Sequence, residues 1–265
     1  MFDWIQFGVL DLNKNGQFFD EYPLPLYIVL AVLFAAVVPY LLGSINTAVL
    51  FSRILYKEDI RTKGSGNAGL TNMHRVYGGK AAALVLIGDM LKMILSLFFV
   101  GLIFGMHYGF TADASGAIVA PPYWSWYTFA TQYLLYVAGL FCILGHIFPV
   151  YFKFKGGKGV LCTVAFLLTV SPLVFLILFG VVWILMLLIT RYVSVASISV
   201  GLLYPLLLNR LPIILGYRYP ELGIHTLIAV VIGLLIIYCH RSNIIRLWER
   251  RENKFHFHKK KKDDK

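Results

Sequence analysis

The chain has 265 residues, of which 59% are hydrophobic and only 14% are charged. Soluble domains carry about 25% charged residues, so a water-soluble globule of this length would expose too much apolar surface, and extended disorder is excluded for the same reason. Lysine and arginine number 24 against 13 acids, and the resulting net charge of +11 suits nucleic acid, anionic lipid or an anionic substrate.

Seven apolar runs, separated by polar, glycine-rich or basic segments, predict an all-α integral membrane protein of about seven transmembrane helices. The predicted spans are residues 26–52, 81–105, 128–151, 160–170, 173–190, 194–209 and 223–239. At about 1.5 Å per residue, the fourth run is too short to cross a hydrocarbon layer of about 30 Å. We expect it to be a short or half-crossing helix, or the start of one long kinked element.

The distribution of basic residues predicts the orientation of these spans. With the N-terminus outside, the inner side receives residues 53–80, 152–159, 191–193 and 240–265. These segments hold 6, 3, 1 and 10 basic residues, or 20 of the 24 in the chain. Because short cytoplasmic loops are enriched in lysine and arginine, the pattern predicts an outer N-terminus and a cytoplasmic C-terminus. It places the positive charge on one membrane face, so no nucleic acid partner is expected.

The first polar segment, residues 59–75, combines cationic side chains with a glycine-rich backbone. Arg61, Lys63 and Arg75 supply charge, and glycines let backbone amides approach an anion closely. Neutral donors and glycines occupy the rest of the segment, at Gly64, Ser65, Gly66, Asn67, Gly69, Thr71 and Asn72. The pattern indicates a phosphate-binding loop; the alternative is an ordinary polar loop that ends a helix.

The second polar segment, residues 146–159, begins with His146 and ends at the start of a predicted span. It contains a glycine pair flanked by lysines, at Lys155, Gly156, Gly157 and Lys158. Ammonium groups and exposed amides there could bind a second phosphate. A G-x-x-x-x-G-K-[ST] motif is absent, so nucleotide hydrolysis is not supported. Lys153 is better explained as a cytoplasmic anchor of the span.

A third polar cluster follows the last predicted span. If the helix continues, His240, Asn243 and Arg246 share one face, because they are three residues apart. Such a face could bind a polar headgroup. The alternative is that a histidine and an arginine at a cytoplasmic helix end interact with the helix dipole.

Charged residues inside the predicted spans are few. Asp89 and Lys92 in the second span are spaced i and i+3, so we expect them to pair with each other or with the first polar segment. Ser44 and Asn46, and Ser194 and Ser197, are expected near the same face as the loops. The three cysteines lie in apolar runs without ligand-like spacing, so neither a disulfide framework nor a metal site is predicted.

These segments suggest an enzyme that joins a small phosphorylated substrate to a substrate dissolved in the lipid. No G-x-S-x-G motif is present, and the cysteines are not in basic loops that would activate them, so a covalent enzyme intermediate lacks support. The competing hypothesis is a membrane transporter of a phosphorylated metabolite, although the chain has no evident internal repeat.

From about residue 40 to 254 the chain resembles the acyl-phosphate:glycerol-3-phosphate acyltransferases of bacterial membranes. The resemblance is carried by several separated motifs in the family's order: Gly43-Ser44-Ile45, residues 59–75 with Asp89 and Lys92, residues 145–159, Arg191-Tyr192-Val193-Ser194, and His240-x-x-Asn243-x-x-Arg246-Leu247. The resemblance implies seven helices in the inner (cytoplasmic) membrane, with an active site on the cytoplasmic side. We expect an outer extension (1–25), a single transmembrane catalytic domain (26–240) and a cytoplasmic basic tail (241–265), although the extension and the tail have no counterpart in the family.

The reaction implied is transfer of a fatty acyl group from acyl phosphate to the 1-position of sn-glycerol 3-phosphate, without coenzyme A, acyl carrier protein or another cofactor. The products would be lysophosphatidic acid and phosphate. The expected catalytic residues are His146, His240, Lys158 and Asn243. The expected substrate-binding residues are Ser44, Arg61, Ser65, Gly66, Asn67, Gly69, Thr71, Asn72, Arg75, Lys155, Gly156, Gly157, Ser194 and Arg246. The proton of the attacking hydroxyl could pass to His146, His240 or a substrate phosphate oxygen.

Overall fold

The computed structural model describes residues 24–104, 111–112, 118–119, 129–215 and 223–255. These residues are helical except for the connecting loops and two very short strands, β1 (Thr111–Ala112) and β2 (Ile118–Val119), which pair antiparallel with Thr111 opposite Val119. The predicted all-α membrane class is confirmed. Most of the predicted N-terminal extension and the end of the basic tail, including Lys259 to Lys262, lie outside the described residues.

The chain forms two compact units, which divide after Pro172. The helices of the first unit are α1 (Leu24–Gly43), α2 (Thr47–Tyr56), α3 (Leu70–Tyr77), α4 (Gly79–Phe104), α5 (Phe129–Ile147) and α6 (Val160–Val170). Single 3₁₀ turns at Ile60–Thr62 and Val150–Phe152 belong to the loops of this unit. Helix α4 packs against α1, α3, α5 and α6, so it forms the centre of the first unit.

The second unit follows a short helix, α7 (Pro172–Phe175), at the boundary. It contains π-helical turns over Leu176–Trp183, then α8 (Ile184–Thr190), α9 (Val193–Ile214), α10 (Ile224–Cys239) and α11 (Arg241–Trp248). Helices α9 and α10 pack side by side, and they approach closely where Gly201 faces Gly233. Small residues at such crossings let two backbones come together, which is how membrane helices gain packing energy.

The described residues contain five helical segments long and apolar enough to cross a membrane: Ile28–Tyr56, Gly79–Phe104, Gln132–Phe152, Pro172–Thr190 and Val193–Leu211. Helices α10 and α11 are bent by 52° at their junction and would make a sixth span if taken together. Helix α6 has 11 residues, or about 16 Å at 1.5 Å per residue, so the fourth predicted segment is indeed short. The count of seven spans and the outer N-terminus stay predictions.

The first predicted span is broken rather than continuous. Helix α1 ends at Gly43, and α2 begins after Asn46, whose side chain accepts a hydrogen bond from the Val49 amide at 3.0 Å. An asparagine in this N-cap position satisfies an amide that has no partner in the preceding turn. The break therefore leaves polar backbone groups inside an apolar segment, and other side chains must satisfy them.

Glycines bring α1 and α5 into close contact beside this break. A Cβ on Gly43 would overlap the carbonyl oxygen of Cys142, and a Cβ on Gly145 would overlap the carbonyl oxygen of Tyr40. In both cases the obstacle is backbone, which cannot rotate away. The two helices can therefore keep this separation only with glycine at both positions.

We expect Gly43→Ala to destabilise the protein by about 1–3 kcal/mol, because the added methyl group forces the α1 and α5 backbones apart. Gly180→Ala is the matched control, since nothing among the described residues lies within 4 Å of the position that its Cβ would take. Thermal unfolding of both purified variants in detergent measures the difference. Equal unfolding temperatures for Gly43→Ala and the unsubstituted protein would contradict the packing argument.

Candidate active site

The first loop (residues 57–69) is organised around Asp59. Its carboxylate accepts hydrogen bonds from the Arg61 amide at 3.0 Å, from Arg61 Nη2 at 2.7 Å and from Arg53 Nη2 at 2.8 Å. The hydrogen bond from the Arg61 side chain holds the pKa of Asp59 well below its usual range. The same contact raises the pKa of Arg61, so this ion pair is fixed at physiological pH.

Arg61 also joins the first loop to the second loop (residues 148–159). Its Nη1 donates to the carbonyl oxygens of Phe152 at 2.8 Å and Lys155 at 3.1 Å. Sequence reasoning predicted that Arg61 would bind a phosphate; the structure directs all three of its side-chain nitrogens at protein acceptors. Its observed contacts are those of a residue that positions the two loops, because a planar guanidinium can hold several acceptors in fixed geometry.

Asn72 determines the conformation of the glycine-rich part of the first loop. It is buried, and its Oδ1 accepts a hydrogen bond from the Ser65 amide at 2.8 Å. Its Nδ2 donates to the carbonyl oxygens of Ile60 at 3.2 Å and Lys63 at 3.0 Å. Gly64 packs directly against Asn72, and its positive φ favours glycine. Asn72 thus fixes the conformation of the predicted phosphate-binding loop from its buried side.

The second loop folds back onto the end of α5. The amides of Gly156 and Gly157 donate to the carbonyl oxygens of Ile147 and His146, both at 3.1 Å. A Cβ on Gly156 would overlap the His146 carbonyl oxygen, and a Cβ on Gly157 would overlap His146 Nε2. The glycine pair was predicted to present amides to an anion. Its amides are bonded within the protein, and close packing explains the glycines.

The two loops meet at the loop junction, formed by Ala68 of the first loop and Gly157 of the second. The Ala68 carbonyl oxygen lies 2.8 Å from the position of a Cβ on Gly157 and accepts a hydrogen bond from Asn46 Nδ2 at 3.4 Å. Ser44 Oγ adds a contact to the second loop by accepting the Val150 amide at 3.4 Å. The structure therefore brings the two predicted phosphate-binding segments side by side.

The predicted donors differ in how far they reach solvent. Ser65, Gly66, Thr71, Arg75 and Lys155 are exposed, Asn67 and Lys158 are half-buried, and Gly69 is buried at the start of α3. Exposed cations beside an apolar helix bundle can attract an anion from solution. The fixed groups behind them, Arg61 and Asn72, keep the loops in place.

A buried polar cluster lies beneath the loop junction. Lys92 Nζ lies 2.9 Å from Asp89 Oδ1, so the predicted pairing of these residues is confirmed. The same ammonium donates to the Ile45 carbonyl oxygen at 3.1 Å and lies 2.8 Å from His146 Nδ1. Thr47 Oγ1 donates to Asp89 Oδ1 at 2.7 Å. The polar cluster therefore consists of Thr47, Asp89, Lys92 and His146. Through Lys92 it supplies a hydrogen bond to the Ile45 carbonyl oxygen at the break between α1 and α2.

The polar cluster has enough donor atoms to raise the question of a metal. One ligand atom from each of Asp89, His146 and Cys162 lies within 4.8 Å of the others. Lys92 Nζ, however, already contacts both Asp89 and His146, and its positive charge compensates the carboxylate. An ammonium in that position would repel a divalent cation. The cluster is therefore better explained as an internal ion pair.

The second unit holds the remaining predicted residues around an acid, Glu252, that was not among the expected site residues. Glu252 Oε1 accepts hydrogen bonds from Asn243 Nδ2 at 2.7 Å and Ser194 Oγ at 3.2 Å, and Oε2 accepts from Arg246 Nε at 2.7 Å. Partial burial acts to raise the pKa of Glu252, but the hydrogen bonds from Asn243 and Arg246 outweigh burial and lower it. The available signal was an acid within the strongly basic segment 240–265.

The predicted shared face required the helix to continue straight past the end of the last predicted span, and the helix does not do so. It bends by 52° at His240, whose Nδ1 lies 2.8 Å from the Ile236 carbonyl oxygen, and α11 begins at Arg241. Asn243 and Arg246 are one turn apart on α11 and contact the same carboxylate. Their predicted proximity is confirmed, because both lie on α11, and Glu252 bonds to both side chains.

Comparison with known proteins identifies relatives along nearly the whole chain. The sequence profile described as glycerol-3-phosphate acyltransferase matches residues 33–250. A glycerol-3-phosphate acyltransferase of Ureaplasma parvum is 33% identical over 253 residues, covering 89% of this chain and 93% of the relative. One from Chlorobaculum tepidum is 34% identical over 238 residues, covering 84% and 96%.

Two crystal structures of PlsY (YgiH), an integral membrane glycerol 3-phosphate acyltransferase, share this fold. The glycerol 3-phosphate form is 36% identical with a TM-score of 0.64, and the lysophosphatidic acid form is 34% identical with a TM-score of 0.62. Each match covers 87% of this chain and 96% of the solved chain.

Acidification is expected to loosen the first loop through Asp59. Because its pKa is lower in the folded protein than its usual value near 3.8, ionised Asp59 stabilises the fold at pH values above about 4 and loses this effect as the pH falls further. Asp59→Asn should be less stable than the unsubstituted protein at pH 7 and should lose less stability between pH 7 and about 3.

Thermal unfolding in detergent across this pH range measures the effect. Glu249→Gln is the control, because Glu249 pairs with Arg251 on the exposed surface, where an ion pair contributes about 0–1 kcal/mol. Parallel pH curves for Asp59→Asn and the unsubstituted protein would show that Asp59 does not stabilise the loop.

Proposed function

The chain belongs to the glycerol-3-phosphate acyltransferase family, and from this premise we propose that it transfers a fatty acyl group from acyl phosphate to the 1-position of sn-glycerol 3-phosphate. The hydroxyl oxygen forms an ester with the acyl carbon, the bond from that carbon to the phosphate oxygen breaks, and phosphate leaves. The hydroxyl proton passes to a base or to a phosphate oxygen. The products are lysophosphatidic acid and inorganic phosphate.

The observation that carries the proposal is the contact between the two loops of the first unit. Arg61 joins them through the Phe152 and Lys155 carbonyl oxygens, and Ala68 meets Gly157 at the loop junction. Exposed Lys155 lies on the second loop, and exposed Arg75 lies on α3, which follows the first loop. Cationic and neutral donors on adjoining loops, next to apolar helices, suit a reaction between a phosphorylated solute and an acyl phosphate whose chain lies in lipid.

The chemistry of the donor supports the same conclusion. An acyl phosphate is already activated, so the enzyme has to orient it and stabilise developing charge, and needs no nucleophile of its own. Cys142 on α5 and Cys162 on α6 are fully buried, and neither lies on the exposed cationic loops. A fully buried thiol cannot reach a substrate that is bound at those loops.

The known relatives support the substrate and the product. The solved PlsY structures are described as a glycerol 3-phosphate form and a lysophosphatidic acid form. At 36% and 34% identity across nearly the whole fold, binding of the same two molecules is a reasonable expectation for this chain. The acyl-phosphate donor and the cytoplasmic membrane as location follow from the family resemblance of the motifs.

We assign roles to the loops on this basis. Ser65, Asn67, Thr71 and Arg75 of the first segment bind one phosphate, and Lys155 and Lys158 bind the other. The amides of Gly66 and Gly69, which were also predicted to bind phosphate, donate to the carbonyl oxygens of Lys63 at 3.0 Å and Asn67 at 3.1 Å, so these glycines shape the loop instead. In the second unit, Glu252 fixes the Asn243 amide and the Arg246 guanidinium, and fixed donors bind an anionic headgroup at a lower entropic cost. His240 and Asn243 are proposed to position glycerol 3-phosphate, with Ser194 supporting them through Glu252.

A donor-specificity assay tests the reaction. Purified protein supplied with acyl phosphate and glycerol 3-phosphate should form lysophosphatidic acid, whereas acyl-coenzyme A should not replace the donor. Formation of product from acyl-coenzyme A alone would overturn the proposed donor. Accumulation of glycerol 3-phosphate in sealed vesicles without any acyl donor would instead indicate a transporter.

Lys158→Ala should lower the turnover number by an amount equivalent to about 2–4 kcal/mol of transition-state stabilisation, as for loss of one preorganised donor. Lys153→Ala is the matched control, because Lys153 is an exposed lysine of the same loop that we interpret as an anchor. Steady-state rates of lysophosphatidic acid formation measure both. Near-normal turnover of Lys158→Ala would remove Lys158 from the site.

A further inference from the structure

His146 is a buried histidine of which both ring nitrogens have identifiable neighbours. It lies at the end of α5, within the polar cluster and directly beside the loop junction, and is 3% exposed. The proposed reaction needs an acceptor for the hydroxyl proton, and a histidine in this position is an obvious candidate. Whether it can accept a proton depends on which of its nitrogens already carries a hydrogen.

The Nδ1 side of the ring faces cationic and anionic groups of α4. Lys92 Nζ lies 2.8 Å from Nδ1, and Asp89 Oδ1 lies 3.5 Å from it. A lysine ammonium has three donors and no acceptor, so it can form this short contact only if Nδ1 accepts the hydrogen bond. A neutral imidazole whose Nδ1 accepts carries its hydrogen on Nε2.

Other groups around the ring do not change this result. Thr47 of α2 donates to Asp89, and the Ile45 carbonyl oxygen at the helix break accepts from Lys92. The Cys162 thiol of α6 lies within 4.8 Å of a His146 ring nitrogen, and it is directed at the Asp89 carbonyl oxygen at 3.9 Å. Among the described side chains around the ring, Asp89 is the carboxylate and Lys92 the amine. The proton count of the cluster is therefore decided among Asp89, Lys92 and His146.

A second way of distributing protons over Lys92 and His146 also leaves a hydrogen on Nε2. If the imidazole is cationic and Lys92 is a neutral amine, Nδ1 donates to Nζ and Nε2 is protonated as well. Only a neutral Lys92 beside a neutral His146 protonated at Nδ1 would leave Nε2 bare. That state would leave the fully buried Asp89 carboxylate without a cation, and an uncompensated buried charge is strongly unfavourable.

The Nε2 side of the ring faces the loop junction. A Cβ on Gly157 would overlap His146 Nε2 and would lie 2.8 Å from the Ala68 carbonyl oxygen. His146 Nε2 and the Ala68 carbonyl oxygen therefore both lie close to Gly157. The first loop is held there by Asn46, which donates to the Ala68 carbonyl oxygen. A hydrogen on Nε2 is consequently presented where the two proposed phosphate-binding loops meet.

We propose that Asp89 and Lys92 hold His146 in the form that carries hydrogen on Nε2, which makes His146 a fixed hydrogen-bond donor at the loop junction and excludes it as the acceptor of the hydroxyl proton. Asp89 and Lys92 are positioning residues in this scheme, because they act through the imidazole. The ligand of the Nε2 hydrogen is an oxyanion, and its assignment to a substrate phosphate rests on the proposed function.

The protonation state can be measured without any assay of activity. Protein labelled with ¹⁵N in its histidine rings, in detergent, gives separate signals for bare and protonated nitrogens, and couplings to the ring hydrogens distinguish Nδ1 from Nε2. The His146 signals are those lost in His146→Gln. If that variant does not fold, single replacement of each of the other six histidines identifies them by elimination. We expect a protonated Nε2 from pH 6 to 9; a bare Nε2 at pH 7.5 would overturn the proposal.

Kinetics of two variants provide a second test. A glutamine at 146 can place an amide donor near the former Nε2 position, whereas an asparagine reaches only the former Nδ1 position. If His146 is a donor, His146→Gln should retain at least tenfold more activity than His146→Asn, whichever acyl donor the enzyme uses, as expected when one preorganised donor is worth about 10²–10³ in rate. Equal, severe loss in both folded variants would favour a proton acceptor and overturn the proposal.

The two tests separate this inference from the proposed reaction. Failure of acyl phosphate as a donor in the specificity assay would overturn the reaction, while the ¹⁵N measurement would still decide the state of His146. Addition of glycerol 3-phosphate or inorganic phosphate to the labelled protein supplies the remaining check. A shift of the Nε2–H signal supports an oxyanion as its ligand, and an unchanged signal at saturating concentrations of both contradicts it.

Discussion

Lys92 compensates two polar groups inside an apolar helix bundle: the Asp89 carboxylate and the Ile45 carbonyl oxygen. Its ammonium pairs with Asp89 and donates to the Ile45 carbonyl oxygen, which the break between α1 and α2 leaves without a helical partner. In a low-dielectric surrounding an unpaired carboxylate or carbonyl group costs free energy, so both need such a donor. The break in turn places Ser44 and Asn46 beside the loops. The position of both loops therefore depends on one buried cation.

The loops are shaped by side chains and close packing, and this changes how their glycines are understood. Gly156 and Gly157 are required because any side chain would collide with the end of α5 and with the His146 ring. Their amides bond to the carbonyl oxygens of Ile147 and His146, which end α5. Arg61 and Asn72 similarly satisfy backbone groups of the loops. The exposed cations Arg75 and Lys155 then project from rigid segments, and rigid donors bind an anion with less loss of entropy.

The second unit also contains a charged residue that holds several partners. Its charge is negative, whereas Lys92 in the polar cluster of the first unit is positive. Here an acid, Glu252, holds three donors from α9 and α11, and Asn243 and Arg246 are thereby fixed in position. The bend at His240 turns α11 so that these residues reach the carboxylate. In the second unit Asn243 and Arg246, which have proposed contacts to substrate, are thus held by a partner of opposite polarity, as preorganised sites require.

The sequence by itself determined the class of fold, the loops and the ion pair. Long apolar runs form helices in lipid, because only a helix satisfies its own backbone groups there. The loops are recognisable by their basic composition, and Asp89 and Lys92 are neighbours on one helix turn. It did not reveal that Arg61 joins loops more than 90 residues apart, that Glu252 organises α11, or that His146 lies between Lys92 and Gly157. These contacts link segments distant along the chain, so no local periodicity records them. Only tertiary packing decided which donors are used within the protein and which face the solvent.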